Sequence, residues 1–195
     1  NLGYGIYIVK SEPTITNTII RDNAGGGIFI YSESEVTSNP VMSYMTIENN
    51  FPTSHMGWYG DGGGIVSHSS NFSLTNSNIE GNITEQNGGG MRLYTSNPII
   101  SDVHIDNNTV LEGDCLGGGI YMEDSNPIFT NVTINNNVLQ GEDESRGGGV
   151  FGEDAVPQFI NVEISNNQAT LGGGIFLSGQ GLEDGPKPFF NNVII

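Results

Sequence analysis

Positive charge is scarce in this chain: 5 Lys+Arg stand against 22 Asp+Glu in 195 residues, for a formal net charge of −17. A surface of that sign repels phosphate backbones, which argues against nucleic acid as a partner. It favours cations, cationic partners or solubility in a salty medium. Cysteine is nearly missing too. Cys115 stands alone, so no internal disulfide framework is possible, and no motif beside it would activate the thiol. No apolar run approaches the roughly 18 residues of a bilayer span, so membrane insertion is not expected. Helical periodicity of useful length is also lacking. The chain opens at Asn1 without an initiator Met, a basic stretch or an apolar leader. That reads as a mature or excised segment whose address signal lies elsewhere, with an extracellular or cell-surface location expected.

Glycine, by contrast, is abundant and ordered: most of the 29 glycines fall in triplets followed by an apolar residue. The triplets end at Gly27, Gly64, Gly90, Gly119, Gly149 and Gly174, and a degenerate first copy, Gly3-Tyr4-Gly5, precedes them. Self-similarity on a period of 22 to 37 residues marks a solenoid, in which each repeat packs only on its neighbours.

Counting each turn from its last glycine as zero, position 1 is Ile6, Ile28, Ile65, Met91, Ile120, Val150 and Ile175. Position 3 is Ile8, Ile30, Ser67, Leu93, Met122, Gly152 and Leu177. Period 2 puts both columns on one face of a short strand. A second strand opens at position 8, often with proline, as at Pro13, Pro98, Pro127 and Pro157; a strand's first residue need not donate to the ladder. Allowing five inserted residues in turns two and seven, its position 10 runs Ile15, Met42, Leu74, Ile100, Phe129, Phe159 and Phe189. A third strand gives the cleanest column, at position 15: Ile20, Ile47, Ile79, Ile105, Ile134, Ile164 and Ile194. Burying each such side chain contributes about 1.5–3 kcal/mol.

Asparagine marks two corners. Position 12 is Asn17, Tyr44, Asn76, Asp102, Asn131, Asn161 and Asn191; position 18 is Asn23, Asn50, Asn82, Asn108, Asn137 and Asn167. Asparagine tolerates left-handed backbone, and stacked amides hydrogen-bond along the stacking axis. The stretch after position 18 absorbs the length differences, so loops leave from one edge. The expected fold is all-β: a parallel β-helix of about seven turns with three short strands each, without caps. Residues 1–195 then form one segment of a longer or end-to-end assembled solenoid.

The consensus Gly-Gly-Gly-Ile-Tyr, then Ser-Asn-Pro, Phe-x-Asn and Ile-x-Asn-Asn, fullest in Gly117–Asn137, resembles right-handed parallel β-helix proteins of the pectin-lyase-like superfamily. It is similar above all to the glycine-rich repeats of bacterial secreted and surface proteins, the polymorphic outer-membrane proteins among them. That resemblance implies fold rather than activity, since such folds carry lyases, hydrolases, adhesins and passenger domains. The hydrolase motifs Asn-Thr-Asp, Asp-Asp, Gly-His-Gly and Arg-Ile-Lys do not occur. A lyase of this group implies an arginine base beside calcium-holding aspartates. Arg92 is the one candidate and has no aspartate pair on its sheet, while Arg21 is placed to face Glu48 one turn on. No catalytic residue is therefore expected in this segment.

Two surface features remain. The outward positions 2 and 4 of the first strand carry Tyr7, Phe29, Tyr31, Arg92, Tyr94, Tyr121, Phe151 and Phe176, together with His68. If exposed, they make a stripe able to stack sugar rings or dock a partner, with Arg92 set for a cation–π contact on Tyr121; loops folding back over this face would close it. Acidic residues also stack: Glu123-Asp124 above Glu153-Asp154, and Glu48, Glu80 and Asp106 in a second column, with Glu112, Asp114, Glu142, Asp143 and Glu144 in loops. Oxygen clusters of this kind suit Ca²⁺, while a solvated acidic surface is the plainer reading; no cofactor is required. Outward Thr16, Ser43, Thr75, Ser101 and Thr130 form a hydroxyl column, but its companion breaks at Ile99, Ile128 and Gln158. His55, His68 and His104 lie too far apart for a zinc set. The expected function is that of a non-catalytic structural or adhesive module. Further copies of itself or a flanking β-helix stack on its ends; the alternative is a carbohydrate-binding module, or a polysaccharide lyase or hydrolase whose active site lies outside or only partly inside this segment.

Overall fold

The computed structural model describes residues 3–33, 37–52, 62–111, 115–141, 144–179 and 187–195. His55 and the loop carboxylates Glu112, Asp114, Glu142 and Asp143 lie outside the described residues.

The stretch after each glycine triplet is extended because inward apolar and outward residues alternate. Ile6–Val9, Ile28–Tyr31, Ile65–His68, Met91–Tyr94, Ile120–Glu123, Val150–Glu153 and Ile175–Ser178 form one parallel sheet of seven strands in chain order. Register is the one the glycines set: Ile6 pairs with Ile28, Met91 with Ile120, Val150 with Ile175. The side chain of any residue other than glycine at the triplet's last position would collide with the coil above. A Cβ at Gly64 would run into the carbonyl oxygen of Gly90 and the side chain of Ile79, so glycine is demanded there by close coil-to-coil approach. The left-handed conformation instead belongs to the first glycine of the triplet in later coils, as at Gly117 with φ 66°.

The expectation of three short strands per turn needs correction. In the first two coils the second and third strands are separate, Thr14–Thr16 and Ile19–Arg21, then Val41–Ser43 and Thr46–Glu48. From the third coil on they are continuous as Ser73–Glu80, Ile99–Asp106, Ile128–Asn135 and Gln158–Ser165, ending with Phe189–Ile194. The bend survives inside the long strand: Asn76, Asp102, Asn131 and Asn161 have φ of 50°, 56°, 55° and 55°. One left-handed residue turns the corner while ladder hydrogen bonds continue on both sides of it, so both arms stay in one sheet. A short third sheet follows, made of Ile83–Thr84, Thr109–Val110 and Val138–Leu139. The return legs of the loops also align, through bridges joining Leu116 to Arg146 and Arg146 to Leu171. The solenoid has about five turns, the second to the sixth, stacked on both sides; the sequence count of about seven includes an outer coil at each end with one neighbour.

The last coil is one residue out of the expected register. Phe189 pairs with Gln158, Phe190 with Phe159 and Ile194 with Glu163. The insertion is thus six residues, not five, and every assignment in that coil moves by one. Phe190, not Phe189, stacks on Phe159, with ring centroids 5.2 Å apart. Asn192, not Asn191, is left-handed, with φ 53°. Ile194 takes the outward register opposite Glu163; at this open end both it and Ile195 are exposed, at 65% and 68%. Ile195 holds the interior column instead, against Gly174 as Ile164 lies against Gly149. In a period-2 element a shift of one exchanges the two faces.

Inside, Ile20, Ile47, Ile79, Ile105, Ile134 and Ile164 are all buried, as expected of the isoleucine column. Phe129 and Phe159 stack beside it at 5.2 Å. The position-18 asparagines form a buried amide ladder. Asn82 Nδ2 donates to Asn108 Oδ1 at 3.0 Å and to the Ile47 carbonyl at 2.9 Å, and this pattern recurs at Asn50, Asn108 and Asn137. These asparagines are not themselves left-handed; the residue before each is, as at Asn49, Asn107 and Asn136. A buried serine ladder, absent from the sequence reading, runs Ser70, Ser96, Ser125: Ser70 N–H donates to Ser96 Oγ and Ser96 N–H to Ser125 Oγ. Cys115 is buried with Val110 and Leu139 in a small second core under the loop edge, with Ala169 packed against it.

Candidate functional site

The outward columns of the first sheet are where side chains of chemical interest collect, and the structure closes much of that face. Phe29, Tyr121 and Phe151 are 4%, 5% and 3% exposed. They are not the open stripe expected of outward positions. Stacking along the solenoid axis and the chain entering each coil cover them. Tyr121 and Phe151 stack at 5.4 Å, Phe151 and Phe176 at 5.6 Å. Tyr4, in the leg before the first strand, lies 5.2 Å from Phe29. The first glycine of the triplet curls over the base of the column as well; a Cβ at Gly172 would meet that of Phe176 at 3.0 Å.

Two of the five basic side chains sit on this stack. The Arg92 guanidinium lies 5.7 Å from the Tyr121 ring centroid, as the sequence suggested, and Arg146 lies 5.5 Å from that of Phe176. The Tyr121 hydroxyl donates to Glu123 Oε2 at 2.8 Å. Burial first, then that hydrogen bond and the Glu123 charge, hold the phenol proton far above the usual tyrosine range, against the opposing pull of Arg92. Arg21 and Glu48 are register partners with a contact at 3.6 Å, the expected salt bridge. Arg146 also reaches Glu144 at 3.0 Å.

What stays accessible is a row of half-buried rings on coils two to four. Tyr31 and His68 have centroids 5.2 Å apart, and His68 and Tyr94 stack at 4.7 Å. Burial and then the neighbouring Arg92 charge lower the His68 pKa below its usual 6.5. Tyr7 is 63% exposed, on the outer side of Phe29. The predicted aromatic set therefore divides: Tyr7 is exposed, Tyr31, Arg92, Tyr94 and Phe176 are half-buried, and Phe29, Tyr121 and Phe151 are buried.

The acidic candidates fall in register without forming a cage. Glu123 pairs with Glu153, but Glu123 is engaged by Tyr121. Asp124 and Asp154 are exposed corner residues with φ 48° and 47°. Glu48, Glu80 and Asp106 also follow one another in register. Among the described residues no three His, Cys, Asp or Glu side chains converge on a position where they could hold a metal ion.

Sequence reasoning missed an outer asparagine ladder at position 7. Asn71 N–H donates to Asn39 Oδ1, Asn97 N–H to Asn71 Oδ1, Asn126 N–H to Asn97 Oδ1 and Val156 N–H to Asn126 Oδ1, at 2.6–2.9 Å. The recurring Asn-Pro dipeptides at Asn39, Asn97 and Asn126 were its signal.

Parallel sheets in common register, amide and serine ladders inside and loops at one edge define a parallel β-solenoid. The chain belongs to the right-handed β-helix family, whose pattern, the right handed beta helix region, matches residues 1–79 and 43–183. No curated protein and no solved structure matches it. Among the described residues no helix is long and apolar enough to cross a membrane.

Proposed function

We propose that this chain is a non-catalytic structural or adhesive β-helix module working outside the cell or at its surface. The observation that carries the reading is the engagement of Arg92. The one arginine placed as a base lies over Tyr121, and the Tyr121 hydroxyl is held by Glu123. The side chains that could do chemistry thus serve coil-to-coil packing. A net charge of −17 suits a salty exterior. The same repeat that stacks one coil on the next lets a further coil of the pattern, from a flanking stretch or a second copy, add at an edge. Filament growth through such stacking belongs to this proposal.

Exposure to acidic and neutral polysaccharides, with unsaturated and reducing ends measured, tests it. No release is the expected result, and release that disappears in Arg92→Ala overturns it. Concentration-dependent growth in light scattering supports end-to-end assembly. A monomer at every concentration contradicts that part.

One observation favours a second reading, a carbohydrate-binding face: the half-open row Tyr31, His68, Tyr94 beside Arg92. Stacked rings of this kind match the apolar faces of sugars. A glycan screen with Tyr31→Ala and Tyr94→Ala controls distinguishes it from the first. Calcium at the acidic columns would appear as a melting temperature that falls with chelator, since a ligand bound only by the folded chain stabilises it.

A further inference from the structure

The position-7 ladder contains one member unlike the rest. Asn39, Asn97 and Asn126 are each followed by proline, whereas Asn71 is followed by Phe72 and then Ser73. Asn-x-Ser/Thr with x other than proline is the acceptor pattern for N-linked sugar, so proline removes the other three from consideration. Three more acceptor patterns occur, at Asn82, Asn107 and Asn131, and the fold treats all four differently.

Asn82 is fully buried, and its Nδ2 donates to Asn108 Oδ1 and to the Ile47 carbonyl. A sugar there would break the interior ladder. Asn107 Nδ2 donates to Asp106 Oδ2 at 3.0 Å. Asn131 Nδ2 donates to Asp102 Oδ1 at 3.1 Å, and the hydroxyl of its Thr133 is in contact with His104 Nδ1 at 2.6 Å. Asn71 is exposed. Its backbone N–H and its Oδ1 are used by the ladder, and its Nδ2 has no hydrogen-bond partner among the described residues. Phe72, fully buried beside it, fixes the corner from which the amide projects.

We infer that Asn71 is an N-glycan acceptor, taking a sugar from a diphosphate-activated glycosyl donor. In the step the Asn71 Nδ2–C1 bond forms and the sugar's C1–O bond to the diphosphate breaks. The diphosphate leaves with the bonding pair, one amide proton passes to the transferase, and nothing is oxidised or reduced. The ladder survives, because Oδ1 remains the acceptor for Asn97 N–H. A modified corner places a bulky, hydrated group on the edge between the first and second sheets, where it would hinder lateral approach while leaving the core untouched.

The test is to incubate the folded chain, and a urea-unfolded control, with an Asn-x-Ser/Thr-directed N-glycosyltransferase and a nucleoside-diphosphate hexose, then map peptides by mass spectrometry. The expected result is one added hexose on the Asn71 peptide of the folded chain. It is lost in Ser73→Ala, which keeps the asparagine ladder, and in Asn71→Gln. Modification spread over the other acceptor patterns only after unfolding also supports the assignment. Asn71 left bare in the folded chain, or hexose placed chiefly on Asn82, Asn107 or Asn131 there, overturns it.

Discussion

Asn108 Nδ2 donates to Asn137 Oδ1 at 3.0 Å, and the same oxygen accepts the backbone N–H of Asn108 at 3.0 Å. With a second bond from Nδ2 to the Ile79 carbonyl, one fully buried side chain ties three successive coils together. In the low-dielectric interior such a network holds strongly when complete and is costly when broken.

Asn108→Asp therefore destabilises far more than its size change suggests. The carboxylate loses both donated bonds and sets a charge against two carbonyl oxygens, a change on the order of 3–5 kcal/mol. Asn108→Ala is expected to cost about 1–3 kcal/mol for each buried group left without a partner. Thermal or urea midpoints measure both, and an unchanged midpoint for the aspartate variant contradicts the buried ladder.

Ile105 and Ile99 lie in one strand on opposite faces, Ile105 fully buried and Ile99 56% exposed. Ile105→Ala should cost about 2–5 kcal/mol, and Ile99→Ala less than about 0.5 kcal/mol. Equal effects in urea unfolding would contradict the switch of faces at left-handed Asp102, which sets two isoleucines six positions apart on opposite sides.

The cation stack makes a smaller claim. Removing the Arg92 guanidinium from above the Tyr121 ring should cost about 1 kcal/mol, a value typical of partly desolvated cation–π pairs. Arg92→Lys recovers only part of it, because an ammonium lacks the planar face. The Arg92→Ala effect should vanish when Tyr121 is already Ala; a double-mutant cycle with no coupling refutes the contact.

His68 gives a pH dependence of defined sign. Its folded pKa lies below the ordinary 6.5 through burial and the nearby Arg92 charge, so the unfolded chain binds more protons between the two values. Stability then rises with pH across that window: the contribution is complete above about pH 6.5 and is lost as pH falls through the folded pKa. In the His68→Phe variant that part of the slope is missing. Histidine proton shifts followed by NMR should show His68 titrating below the ordinary 6.5.

Strands, their common register and both asparagine columns were legible because a solenoid repeats each physical requirement once per coil. Ile20 through Ile164 announce one interior column by recurrence alone. The last coil was misread because its six-residue insertion leaves Phe189-Phe190, Asn191-Asn192 and Ile194-Ile195 as adjacent like pairs. Composition cannot choose between the members of a pair; only strand pairing can. The outward aromatics were misjudged for a different reason. Alternation tells which side of a strand a residue faces, yet burial of Phe29, Tyr121 and Phe151 depends on what packs over that side, and this is a matter of the chain entering each coil. The fusion of second and third strands turned on a single left-handed residue such as Asn131, which bends a ladder without ending it.

Methyl–methyl NOE spectroscopy on chain labelled at isoleucine δ1 carbons tests common register most directly. The account predicts an unbroken series of contacts Ile20–Ile47–Ile79–Ile105–Ile134–Ile164–Ile195, with Ile194 outside it. A series that ends on Ile194, or breaks between successive coils, would contradict it.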